Sequence, residues 1–328
     1  MGSDRTHGFG CVPMKPLEIA SLTKRYGSVV AVDDVTFAVE PGEIFGYLGP
    51  NGSGKTTTIR CIMGLLRPTR GQVRVLGHRV RPGRGTEHAR IGYLPGEFRL
   101  WKWPRGRQSL SLFAALGRCK SARKRRIELA ERLGLELNRR VGELSKGNRQ
   151  KVGVLFAFQH DPQILVLDEP TGGLDPLLRQ VVLDLIRESA EAGATVLLSS
   201  HDLSEVSAVC GRAGILRQGR LVELAPISQI VQQGQRRLTV WFADGTLAPP
   251  VPDDQLPGVR LLQRRPGMLD LAYHGSADAI LKWVAQFPVD RIATPQTSLE
   301  EAFMQYYDIA SDARQAGAKS GTAKGGRP

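Results

Sequence analysis

The sequence predicts an α/β protein: a core on a mostly parallel sheet, followed by a small α+β accessory domain. Three observations predict it. Short apolar strand-like runs alternate with helix-period segments, the pattern of a parallel sheet covered on both faces. One such run, residues 44–48, leads straight into Gly49-Pro50-Asn51-Gly52-Ser53-Gly54-Lys55-Thr56 and then into a helical segment. Another, residues 163–167, is continuously apolar and ends in Asp168-Glu169.

In chain order, residues 17–20 and 36–39 read as short strands, and Pro41-Gly42 is the turn into the strand at 44–48. The glycine loop follows, then a helix over 57–66. Residues 72–76 and 90–94 are further strands. From 101 to about 158 the apolar spacing is helical, interrupted at Leu144-Ser145-Lys146-Gly147-Asn148. Residues 98–158 therefore read as a helical insertion. A buried strand at 163–167, a helix at 177–186 and a buried strand at 195–199 complete the core. After Pro226 the character changes. Residues 238–242, 268–273 and 289–293 read as strands and 277–287 as a helix; Asp244-Gly245 is a hairpin signal and Pro249, Pro250 and Pro252 mark a loop. Ser298 with Glu301 forms a capping box for a last helix carrying Leu299, Ala302 and Phe303. The expected organisation is a disordered extension over 1–16, the core over 17–225, the accessory domain over 226–308 and a disordered basic tail over 309–328.

The 328 residues suffice for one large domain and a smaller one. No apolar run reaches the roughly 18 residues of a membrane-spanning helix, and the start lacks a secretory pattern, so a cytoplasmic location is expected. Cys11, Cys61, Cys119 and Cys210 are scattered without a CxxC pair and read as incidental thiols of a reducing compartment. The net charge of +13 invites a nucleic-acid reading. Much of it, however, lies in the insertion, including Arg123-Lys124-Arg125-Arg126 at the start of a helical pattern. A solvated helix face explains that run, and a face toward an anionic bilayer is a second reading.

The glycine loop has the context its chemistry requires. Glycines let successive backbone N–H groups curl into a nest around phosphates, and the helix N-terminus adds partial positive charge. Lys55 is placed for the β- and γ-phosphates, the Thr56 hydroxyl for Mg²⁺ and Thr57 for the α-phosphate. Asp168 and Glu169 stand at the C-terminal edge of a buried strand, where open α/β sheets bind ligands. Asp168 is the candidate for the Mg²⁺ shell, and Glu169 for orienting or deprotonating the attacking water. His201, beyond the next buried strand, is the candidate hydrogen-bond partner of the γ-phosphate. The loop at Leu144–Asn148 has nothing to complete in such a pocket, which suggests a working site built between two copies of the fold.

On these residues, residues 17–224 resemble the ATP-binding subunit of an ABC transporter. The resemblance implies that Ser145 and Gly147 contact the γ-phosphate of ATP held by a partner subunit. It also implies that Asp175, in Gly172-Gly173-Leu174-Asp175, couples the two sites, and that Tyr26, in Lys24-Arg25-Tyr26-Gly27, stacks on adenine. Two departures stand out. The signature loop carries Lys146 and Asn148 where the family favours Gly and Gln. In Gly92-Tyr93-Leu94-Pro95-Gly96-Glu97, Gly96 occupies the position of a Gln that senses Mg²⁺, which makes Glu97 the candidate replacement. The segments YLPGE, LSKGNRQKVG and TGGLDP, with Ser298-Leu299-Glu300-Glu301-Ala302-Phe303, resemble the exporter branch that includes multidrug and antibiotic efflux ATPases. The implied function is ATP hydrolysis that energises a separate transmembrane permease subunit, from the inner face of the membrane. The partner ATPase is a second copy or a paralogue. The alternative is a soluble ATPase of the same type acting on nucleic acid, which the missing heptad insertion, zinc pair and second cassette disfavour.

Overall fold

The computed structural model describes residues 14–83, 90–98, 105–108, 110–111, 122–233, 236–243, 248–252, 256, 258–273 and 276–294. Residues 1–13 of the expected 1–16 extension, the hairpin signal at Asp244-Gly245, the capping box at Ser298 and the tail lie outside the described residues, as do Cys11 and Cys119. The chain divides into two units, residues 1–224 and 225–328.

The first unit holds two sheets. β1 (Leu17–Tyr26) and β2 (Val29–Val39) form an antiparallel pair, extended by β4 (Arg70–Val75) and the two-residue β5 (His78–Arg79), in the order β2-β1-β4-β5. β1 and β2 are much longer than the short runs expected, because register shifts within the pair interrupt strict alternation while the pairing continues. The second sheet contains β3 (Ile44–Leu48), β6 (Ile91–Leu94), β7 (Ile164–Asp168), β8 (Thr195–Ser200), β9 (Arg212–Arg217) and β10 (Arg220–Pro226), in the order β10-β9-β3-β8-β7-β6. From β9 to β6 every neighbour is parallel. Helix α1 (Lys55–Ile62) lies between the sheets, where Ile59 and Ile62 join one core with Leu17, Val35 and Phe37 on one side and Phe45, Val166 and Leu197 on the other. The predicted helix over 57–66 therefore starts two residues earlier and stops four sooner.

In the insertion, α2 (Ala122–Arg132) buries Leu129 and Ala130, with Leu133 just after it, while Ile127 is exposed. Arg123 and Lys124 face solvent. Arg125 pairs with Glu128 at 2.6 Å and with Asp161 at 3.5 Å, so only part of the basic run is a solvated face. α3 (Lys146–Phe158) begins at the second glycine loop, and α4 (Pro176–Glu191) follows β7. The short α5 (Leu203–Val209) and the β9–β10 hairpin were not expected. The hairpin turns through Gln218 and Gly219, both at positive φ (48° and 83°), the conformation that suits a two-residue turn. Cys61 and Cys210 are free and buried, and burial pushes the Cys61 thiol up to about 11.

In the second unit, α6 (Ile227–Gln233) precedes an antiparallel sheet of β11 (Arg236–Phe242), β12 (Arg260–Arg265), β13 (Met268–Tyr273) and β14 (Val289–Ala293), ordered β12-β13-β11-β14. α7 (Asp278–Val284) packs Ile280, Trp283 and Val284 against Leu238, Val240, Leu269 and Leu271. β12 and α6 were not expected. No helix among the described residues is long and apolar enough to cross a membrane.

Candidate active site

The parallel sheet aligns three strand ends. Leu48 is level with Ser200, and Asp168 with Ser199. The glycine loop after β3, the carboxylates after β7 and His201 after β8 therefore emerge at one edge, the crevice where such sheets bind ligands.

The loop is held from behind. Gly219 N donates to Ser53 O at 2.9 Å, and Asp33 N donates to Gly219 O at 2.8 Å. Gly54 has φ 109°, and a Cβ there would meet Ala31 O at 2.4 Å, so only glycine allows this approach. Gly54 is also the N-cap of α1 and supplies no side-chain cap. The first N–H groups of α1 are therefore left for an outside acceptor, as at anion-binding helix starts. Ser53 is buried, and its Oγ has no hydrogen-bond partner among the described residues. An orphaned hydroxyl and an uncapped helix start inside a glycine nest fit a phosphate chain.

Lys55 is buried, and its Nζ donates to Gly49 O and, at 3.2 Å, to Pro50 O. Burial pulls its ammonium below the usual lysine range, opposed by the charges of Glu169 and Asp168; the nearest Glu169 oxygen is 3.9 Å away. Asp168 is buried with both oxygens used. Thr56 Oγ1 donates to its Oδ2 at 3.0 Å and Ser199 Oγ to its Oδ1 at 2.5 Å. A hydroxyl and a carboxylate side by side fit Mg²⁺, which keeps waters and phosphate oxygens in its shell.

Glu169 follows in the left-handed region, φ 51°, just before Pro170. Its N–H donates to Ser199 O at 3.0 Å, and Gln150 Nε2 donates to Glu169 O at 3.2 Å and Pro170 O at 3.0 Å. This unusual backbone turns the carboxylate toward His201, whose Nδ1 lies 3.1 Å from Glu169 Oε1. Gly96, two residues beyond β6, stands so close that a Cβ on it would lie 3.2 Å from Asp168 Oδ2. Position 96 is therefore beside the candidate metal site, and Glu97 is the exposed residue next to it.

The other candidates are arranged differently. Thr57 sits half-buried in the first turn of α1. Tyr26 ends β1 of the antiparallel sheet, half-exposed, with Lys24 Nζ 5.0 Å above its ring. Ser145 caps α3, its Oγ accepting from Asn148 N at 3.2 Å, and its hydroxyl proton stays available to donate. Gly147 abuts the next loop, since a Cβ on it would lie 3.2 Å from Gly173 O. Asp175 caps α4 through Leu178 N at 3.0 Å. Among the described residues, no hydrogen bond or ion pair joins Ser145, Gly147 or Asp175 to Lys55, Asp168 or Glu169. Gln150, and Gly172 whose N–H donates to Glu169 O at 3.2 Å, tie these loops to Glu169; the sequence reading missed Gln150 together with Ser199. Ser199 shared the signal used for Asp168, a polar residue ending a buried strand. Gln150 shared a helix start with Ser145, one turn further on.

Three comparisons bear on this geometry. Residues 32–172 match the family model described as ABC transporter. The bacitracin transport ATP-binding protein BcrA of Bacillus licheniformis is 35% identical over 232 residues, covering 70% of this chain and 75% of that protein. The Nod factor export ATP-binding protein I of Paraburkholderia xenovorans is 34% identical over 228 residues, covering 68% and 75%. Among solved structures, the dimeric structure of a bacterial ABC transporter cassette aligns with TM-score 0.59 at 25% identity, covering 64% of this chain and 98% of that one. With its phosphate loop, acidic strand end and histidine at one sheet edge, the chain belongs to the family of ABC transporter ATP-binding proteins.

Proposed function

We propose that the chain is the ATP-hydrolysing subunit of an exporter, working as a pair of cassettes beneath a separate transmembrane subunit. The observation that carries the reading is the meeting of Thr56 with Asp168 at 3.0 Å and of His201 with Glu169 at 3.1 Å, with the ammonium of buried Lys55 3.9 Å from Glu169. The N–H groups of the glycine nest and Lys55 bind the triphosphate, Thr57 lies on the α-phosphate side, and Tyr26 stacks on adenine. Thr56 and Asp168 would hold Mg²⁺, which supplies charge neutralisation on the β- and γ-phosphates. Glu169 orients the attacking water and takes its proton, and His201 holds the γ-phosphate end. The transport relatives favour a membrane partner over nucleic acid.

Among the described residues, no hydrogen bond joins Ser145 or Gly147 to the phosphate loop of their own chain, and a family relative is dimeric. We therefore assign them to ATP held by a partner, with Asp175 coupling the two sites. ATP then favours the closed pair because contacts from both chains exist only there. The complex sits at the inner face of the membrane, with residues 17–225 as the motor and 226–308 as an accessory domain of unassigned role.

Purification of the tagged full chain from detergent-solubilised membranes tests the partner. A polytopic membrane protein that copurifies and stimulates ATPase activity is expected; retention on DNA or ribosomes with no such partner would contradict it. Glu97 is assigned to the metal neighbourhood in place of a side chain at Gly96. Glu97→Ala should raise the Mg²⁺ concentration for half-maximal ATPase activity by ~10-fold or more, the usual scale for outer-shell metal partners. An unchanged Mg²⁺ dependence removes the assignment.

A further inference from the structure

Arg179 stands in the first turn of α4, four residues beyond the Asp175 cap, and its side chain turns back toward the preceding loop. Its Nε donates to Leu174 O at 3.2 Å, and its Nη1 reaches Asp202 Oδ2 at 3.4 Å. Leu174 belongs to the Gly172–Asp175 loop, and Asp202 is the residue after His201.

Asp202 is fixed on every other side. Its Oδ1 accepts from Ser204 N at 3.0 Å and Ser204 Oγ at 2.5 Å, capping α5. Its own N–H donates to Ser200 Oγ at 2.9 Å, and Ser200 Oγ donates to Glu205 Oε2 at 3.1 Å. His201 is thus suspended between two anchored residues, with its Nδ1 3.1 Å from Glu169. One guanidinium joins the loop assigned to coupling the two sites with the residue that follows the histidine. The pair is part-exposed (43% and 32%), and exposed ion pairs contribute little stability. Its value is geometric. Arginine's planar fork aims its donors at the carbonyl and the carboxylate in fixed directions, whereas a lysine ammonium is a point charge with rotatable donors.

We propose that Arg179 is a positioning residue that couples the Gly172–Asp175 loop to His201, so that the setting of the loop fixes the place of the imidazole. The proposal rests on the site roles assigned above. Its dimer component is tested separately, by the oligomeric state of Glu169→Gln with Mg-ATP, so the two can fail independently.

The test is a double-mutant cycle on the full chain with Arg179→Ala, Asp202→Asn and both together, plus Arg179→Lys. Asn caps a helix about as well as Asp, so α5 should survive that change. Expected are a kcat loss of roughly 10-fold or more for each single variant, because a misplacement of about 1 Å can cost 10²-fold, and an ATP KM within about twofold of wild type. The double variant should be no slower than the worse single one, and Arg179→Lys should recover only part of kcat. Melting temperatures should stay close to wild type. Losses that multiply in the double variant, full recovery with Lys, or wild-type kcat in Arg179→Ala would overturn the proposal. If Arg179→Ala does not fold, Arg179→Lys decides: a wild-type kcat there overturns it.

Discussion

Glu169→Gln is expected to cut ATP turnover by roughly 10²–10⁴-fold, the usual contribution of a positioned general base, while nucleotide binding survives. The substitution is nearly isosteric. Its backbone anchors, Glu169 N to Ser199 O and Gln150 to Glu169 O, do not involve the side chain, so the left-handed turn at φ 51° is kept. The amide oxygen can still face His201, and what disappears is the basic carboxylate. Binding contacts to ATP are untouched, so the closed pair should form and not reopen. Light scattering of Glu169→Gln should show a dimer with Mg-ATP and a monomer without it. Turnover within about threefold of wild type would remove Glu169 from the chemistry.

Lys55→Ala is expected to weaken ATP binding by roughly 10- to 100-fold. A hydrogen bond to a charged group is worth about 1.5–3 kcal/mol, which sets that range. Two features push toward its upper end. Lys55 is buried, so its charge acts where screening by water is weak. It also interacts with the charges of Asp168 and Glu169, and its removal leaves both carboxylates near a polyanion without its ammonium. The loop loses the tie from Nζ to the Gly49 and Pro50 carbonyls as well. Titration with a fluorescent ATP analogue measures the effect, and an unchanged Kd would show that Lys55 does not touch the phosphates.

The core of this site was legible in the sequence because buried parallel strands are continuous apolar runs, and a polar residue ending one has few structural reasons to be there. That logic placed Asp168, Glu169 and His201 at one edge before any coordinates. It did not reach the β9–β10 hairpin, whose turn is marked only by Gln218-Gly219, yet Gly219 supplies the N–H that backs the phosphate loop. The long β1–β2 pair was read as two short strands, since irregular register hides the alternation on which such reading depends. The Arg179–Asp202 contact acts through a partner 23 residues away. Such contacts are tertiary, and no local pattern announces them. The loop at Ser145 is the opposite case, visible in sequence because the pocket expected there needs only the phosphate loop and the acidic strand.

The claim that ATP is clamped between two copies is tested most directly by a structure of Glu169→Gln with Mg-ATP. The account predicts two nucleotides, each with Lys55 of one chain on its β- and γ-phosphates and Ser145 and Gly147 of the other on its γ-phosphate. A nucleotide enclosed by one chain alone, with Ser145 facing solvent, would contradict it.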